Sequence, residues 1–171
     1  MVVEPYLGRA MPASITSHLG EISTTLDTLM ALRDFDSMSR VLATIGPLWE
    51  NHEYLAEGLH YTTALLTSEH WRTGEPDVFG RIALVAGNCA RHQGQYQLAR
   101  RRYRAGLSKR PLTPQVRTAL WGGLGEAAFR QGNYPEARAH YRRYQSVSLL
   151  GRRPTGVADA LTALARIELA R

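Results

Sequence analysis

Apolar and small residues recur along this chain at three- and four-residue steps, in runs cut by short polar breaks, which is the pattern of amphipathic helices. Ile82, Ala83, Ala86, Gly87 and Ala90 make one such stripe, and Tyr96, Ala99, Tyr103 and Leu107 make the next. Gln93-Gly94-Gln95 interrupts them, and Gly94 can take the left-handed conformation that ends a helix. The same reading predicts helices over residues 15–33, 36–51, 54–68, 77–92, 95–109, 113–131, 134–148 and 155–170. Residues 1–12, with Pro5, Gly8 and Pro12, read as an irregular arm, and residues 13–171 as a single domain. Leu19, Ile22, Leu26, Leu29 and Met30 give the first helix an apolar stripe, so it is expected to pack as the second half of a preceding unit.

The pattern repeats. Shifted by 38 residues, Gly87–Arg104 falls on Gly125–Arg142 with nine identities in eighteen positions, among them Gly87/Gly125, Gly94/Gly132, Tyr96/Tyr134 and Tyr103/Tyr141. A weaker copy lies upstream, with Leu42, Ile45, Gly46 and Trp49 followed by Leu55, Gly58, Tyr61 and Leu65. A partial copy closes the chain, where Ala165 stands at the place of Gly46, Gly87 and Gly125. The repeats run near 39–72, 80–113 and 118–151, with 158–171 as the partial fourth. A period near 40 built from two helices and a tight turn implies an all-α fold, an α-solenoid of stacked antiparallel helix pairs. Trp121, Leu124, Tyr134 and Tyr141 are then expected to contact one another or their counterparts in the preceding repeat. Gly122, Gly123 and Gly125 each cost a helix about 1 kcal/mol relative to Ala, which points to close helix packing there.

Trp121-x-x-Leu124-Gly125-x-x-Ala128, followed by Ala137-x-x-x-Tyr141, resembles the tetratricopeptide-repeat pattern, and Ala99, Tyr103 and Pro111 fit its second half. The departures are Ala90 and Ala128 where that repeat usually has Tyr, and a longer period. The longer period, with Trp49–Gly58 and the link Leu150–Val157, is similar to the helical-repeat arm of large bacterial transcription activators of the LuxR-type and antibiotic-regulator (STAND) classes. That resemblance implies a nucleotide-binding switch module preceding the arm. Because the last helix is not polar all round, the chain is expected to be a fragment, with other domains of the same polypeptide among its partners. The alternative is a complete small protein whose last helix acts as a cap or dimer surface.

Charge separates along the chain. Residues 1–79 hold 4 Arg against 11 carboxylates, whereas residues 80–171 hold 17 basic residues against 4 acidic ones. Arg100, Arg101, Arg104, Arg138, Arg142 and Arg143 are placed on a basic outer face, which suits phosphates or an acidic partner, or is simply solvated. No run approaches the roughly 20 apolar residues a membrane span needs, and a cytoplasmic location is expected. Cys89 is the only cysteine and reads as a buried thiol.

Catalytic signals are absent from the sequence. Gly122-Gly123-Leu124-Gly125 has neither the preceding strand nor the following Lys of a phosphate loop, and His52-Glu53 lacks the second His of a zinc-peptidase helix. The six His are scattered, so neither a cofactor nor a metal is expected. Function is therefore assigned to a surface. First helices of such pairs line the concave side, where Arg40, Glu50, Asn51, Arg81, Asn88, Arg91, His92, Glu126, Arg130, Asp159, Thr162 and Arg166 are expected to face the groove. The ligand-binding set is Arg81, Asn88, Arg91, His92, Glu126, Arg130 and Arg166; the tetratricopeptide resemblance singles out Asn88 as a donor to a bound peptide backbone. Arginine forks suit carboxylates, so the expected partner is an acidic protein segment, peptide or small ligand. A self-standing adaptor for an acidic peptide and a nucleic-acid binder working through the Arg-rich half are the alternatives.

Overall fold

The computed structural model describes residues 13–50, 54–69 and 74–170. They form α1 (Ala13–Ala31), α2 (Phe35–Ile45), a 3-10 helix (Gly46–Glu50), α3 (Leu55–Thr67), α4 (Pro76–His92), α5 (Tyr96–Ser108), α6 (Pro114–Arg130), α7 (Tyr134–Leu150) and α8 (Pro154–Leu169). No strand occurs among these residues. The arm of residues 1–12, Asn51 and His52, and the side chains of Leu19 and Glu50 lie outside what is described.

Proline and side-chain caps set the helix starts. Pro76, Pro114, Pro135 and Pro154 sit in the first turns of α4, α6, α7 and α8, where a missing amide hydrogen costs nothing. Asp34, Thr113 and Asn133 accept from the backbone N–H of Ser37, Val116 and Glu136. The helix expected over residues 36–51 divides: Pro47 has no N–H to donate back, so the chain leaves α geometry at Ile45 and continues as the tighter 3-10 turn.

Four helix ends share one closure. Gly94 donates to Arg91 O (3.0 Å) and Gln95 to Ala90 O (2.8 Å); Gly132 donates to Phe129 O and Asn133 to Ala128 O, both at 2.9 Å. Gly94 and Gly132 have φ of +75° and +73°, as the turn reading expects. Arg33 and Arg152 do the same work at the ends of α1 and α7 with φ of 56° and 51°, although neither is a glycine. A side chain in that region carries strain.

The helices pack as pairs: α2 and its 3-10 extension with α3, α4 with α5, α6 with α7, and α8 against α7. First helices of neighbouring pairs also touch, α2 with α4 and α4 with α6, whereas the second helices meet mainly first helices. The stack is an α-solenoid with first helices on the inner side. Its tightest joints are notches without a Cβ. Tyr103 of α5 is fully buried, and a Cβ would lie 2.2 Å from its ring at Gly87 of α4 and 2.6 Å at Gly123 of α6. Tyr141 of α7 fits Gly125 of α6 the same way, at 2.7 Å. Burying one such ring contributes about 2–3 kcal/mol.

Gly46 makes room for Val85 of α4. Ala165 is exposed, and no second helix covers α8 among the described residues. One expectation changes here. Trp121 is only partly buried; it clusters with Leu124 and Tyr103, while Tyr134 and Tyr141 belong to the next cluster with Ala128 and Ile167. Cys89 is buried, its thiol 3.6 Å from Trp49 O.

Relieving the left-handed strain in Arg152→Gly should raise stability by about 1 kcal/mol, whereas Gly94→Val should lower it by more than that, since a β-branched residue resists positive φ. Gly123→Ala, which drives a methyl into the Tyr103 ring, should cost about 1–3 kcal/mol. Urea unfolding of the three variants checks all of this, and a fully stable Gly123→Ala would contradict the notch.

Candidate functional site

The groove residues read from the sequence divide into two groups once their hydrogen bonds are traced. The first makes polar contacts within the stack, with Asn88 and Glu126 partly buried and Arg81, Asp159 and Thr162 exposed. Asn88 Oδ1 accepts the Tyr103 hydroxyl at 2.7 Å, so this amide holds its own pair together. Glu126, one repeat on, takes the Tyr141 hydroxyl at 2.9 Å. The exposed guanidinium of Arg81 reaches Asp77 at 3.3 Å, and Asp77 in turn accepts the backbone N–H and hydroxyl of Thr113, both at 2.8 Å. Asp159 accepts from Tyr144 at 3.3 Å, and the Thr162 hydroxyl donates back to Ala158 O. Asn88 and Glu126 brace the stack because polar side chains partly buried within a helix pair find a partner there.

The second group forms a cationic row. Arg91 and His92 end α4, Arg130 ends α6 and Arg166 lies in the last turn of α8, where the partial negative charge of helix carbonyls favours cations. Arg130 Nε donates to Glu126 at 2.8 Å and Arg166 Nη1 to the same carboxylate at 3.3 Å. Arg166 also lies over the Phe129 ring, 4.7 Å from its centroid. Arg91 Nη2 and His92 Nε2 are 3.0 Å apart. Burial pushes the Glu126 carboxyl up, but hydrogen bonds from Arg130 and Tyr141 and the charges of Arg166 and Arg130 outweigh it and hold the group below the usual carboxylate range. The carboxylate in return raises Arg130. One anion thus organises two arginines, and cationic charge is left over.

The face expected to be basic is largely consumed by cross-bracing. Arg100 and Arg104 of α5 both reach Glu136 of α7, and Arg138 of α7 reaches Glu168 of α8. Arg102 donates to Thr63 of α3 at 3.1 Å, and burial, then the charge of Arg101, lowers its affinity for its proton. Of the six outer arginines named from sequence, Arg101, Arg104, Arg142 and Arg143 are exposed, and Arg143 leans over Trp121 at 4.9 Å. His140 stacks on that indole with centroids 5.5 Å apart. Burial pushes the imidazole down while Glu136, 3.3 Å away, pulls it up, and the net shift is downward.

Among the described residues no three His, Cys, Asp or Glu side chains gather closely enough to hold a metal ion, and no helix is long and apolar enough to cross a membrane. Residues 84–156, most of α4 through the start of α8, match the family model for the tetratricopeptide repeat. No curated protein and no solved structure matches the chain. The family match supports a tetratricopeptide-repeat domain, and repeats of that kind point to a protein-interaction module.

The buried phenols make a pH signature. Burial, then Asp27, pushes Tyr61 up to about 12, and burial, then Asp159, pushes Tyr144 up to about 12; burial and Glu126 raise Tyr141 further. A phenol raised in the fold favours the protonated state, so its contribution is complete below the unfolded value near 10 and is lost as pH rises from about 10 through the folded value. Tyrosinate absorbance of these three should therefore lag behind that of a solvent-exposed tyrosine until the pH nears 12 or the chain unfolds. Tyr141→Phe should flatten the alkaline loss while lowering stability near neutrality by about 1–2 kcal/mol for the lost hydrogen bond. Early, unfolding-independent titration of all tyrosines would contradict this.

Proposed function

We propose that this chain is a non-enzymatic interaction or ligand-sensing module whose inner face takes an acidic segment of a partner protein. The supporting observation is the fate of the carboxylates in residues 80–171. All four are engaged internally: Glu126 by Tyr141, Arg130 and Arg166; Glu136 by Arg100, Arg104 and His140; Asp159 by Tyr144; Glu168 by Arg138. The sequence sets seventeen basic residues against those four in this stretch, and an external anion answers the surplus. Arg91, Arg130 and Arg166, at successive first-helix ends, set that surplus at repeat spacing, and guanidinium forks bind carboxylates bidentately.

The resemblance to activator arms supports a narrower role, in which occupation of this face changes the state of a switch module in a bacterial transcription regulator. Location in the cytoplasm belongs to the same reading. Sequencing the native reading frame on both sides of this segment tests it: an encoded nucleotide-binding module is the expected result, and a complete frame without one favours a self-standing adaptor.

The binding reading predicts that a dye-labelled Glu-rich peptide binds with an affinity that falls as salt rises, and that Arg91→Glu combined with Arg166→Glu lowers it by about tenfold or more. The fold should persist, with a lowered melting temperature because Arg166→Glu sets a carboxylate against Glu126, so binding is compared well below the melt. Equal binding of a neutral peptide of the same length would overturn the reading. Asn88→Ala is expected instead to destabilise the fold by about 1–2 kcal/mol by orphaning the Tyr103 hydroxyl.

A further inference from the structure

A second feature lies away from the arginine row, on the side where the second helices splay. Between α5 and α7 a cavity of about 600 Å³ opens above Trp121. Its apolar lining comes from Leu107 at the end of α5, Pro111 and Leu112 in the following loop, Trp121 of α6 and Val147 of α7. Lys109, Arg110, Arg117 and Arg143 stand around that lining, and no carboxylate is among the lining residues. An adjoining hollow of about 430 Å³ shares Leu107, Trp121 and Arg143 and runs on to Arg104 and His140. Together they make an elongated cleft of a size that accepts one or two large side chains.

The position has a structural cause. Trp121 leads the strongest repeat, yet it is only partly buried, because the second helices on either side of it diverge where the first helices converge. Arg143 lies over the indole and His140 stacks on it, so the cation nearest the floor is held in place by the ring. Arg117 is fixed as well, donating to Leu112 O at 3.0 Å. A preset apolar floor inside a cationic rim favours a ligand that is apolar at its centre and anionic at its edges.

We propose that this cleft is a second docking site, and that it receives an acidic peptide segment whose bulky aliphatic side chain seats against Leu107, Trp121 and Val147 while flanking carboxylates pair with Arg110, Arg117 and Arg143. Charge complementarity selects the flanks, and the aliphatic floor selects the anchor. Single-stranded nucleic acid is matched by rows of aromatic platforms. This cleft holds one indole ring, Trp121, and no row of them.

The test uses the full chain and a dye-labelled short peptide with two leucines flanked on both sides by aspartates, followed by fluorescence anisotropy. Arg110→Glu with Arg143→Glu should weaken binding by about tenfold or more, and Ser146→Phe, which fills the cavity without touching its charge, should do likewise. Circular dichroism melts of both variants should match the parent chain. Replacing the peptide leucines by serine should also abolish the leucine-dependent component of binding, whereas Arg91→Glu with Arg166→Glu should remove only the component that the serine peptide shares and leave the leucine-dependent one intact. No measurable binding by the parent chain, equal binding of the serine peptide, or displacement of the peptide by a duplex oligonucleotide at physiological salt would each overturn the inference. Loss of binding confined to the Arg91 and Arg166 variant would overturn it too while sparing the inner-face reading.

Discussion

Everything in the stack depends on how closely the helices of a pair can approach, and that is governed by the Tyr103 ring lying between Gly87 and Gly123. The ring spans from one first helix to the next, so it ties two repeats with a single side chain. Its hydroxyl ends on Asn88, which removes the cost of burying a polar atom. Tyr141 repeats the arrangement with Gly125 and Glu126. Two glycine-lined notches and two capped phenols therefore set the register of α4 to α7, the stretch most of which carries the family match.

Arginine supplies the next layer. Long second-helix side chains reach across to the following pair, from Arg100 and Arg104 to Glu136 and from Arg138 to Glu168. Partly exposed pairs of this kind each contribute modestly. Their larger consequence is that Glu136 and Glu168 of this half are engaged by the stack's own arginines. Cationic surface lies at the first-helix ends on the inner face and around Trp121 on the other side. The two surfaces differ in kind: the row at Arg91, Arg130 and Arg166 has one phenylalanine ring beneath it, whereas the Trp121 cleft has an apolar floor.

Those differences bear on what each surface can select. A row of guanidinium groups reads charge and spacing, with little to discriminate one acidic segment from another. A rimmed apolar pocket adds a steric requirement, since a missing anchor leaves the floor unpaired with apolar surface. A solenoid with both can hold one partner along its inner face and a second against its outer side.

The helical class and the turns at Gly94 and Gly132 were legible in the sequence because they follow from local rules: apolar periodicity, glycines at turns, prolines in first turns. The solenoid class followed from the self-similarity of residues 87–104 and 125–142. The side-chain roles were not legible, for a physical reason. Whether Asn88 points to a ligand or to Tyr103 depends on the distance between α4 and α5, which no local pattern encodes. Left-handed Arg33 and Arg152 escaped notice because their conformation is imposed by helix closure and not favoured by their own chemistry. The partial exposure of Trp121, and with it the cleft, arises from the divergence of α5 and α7, a property of the curved stack that only the tertiary structure decides.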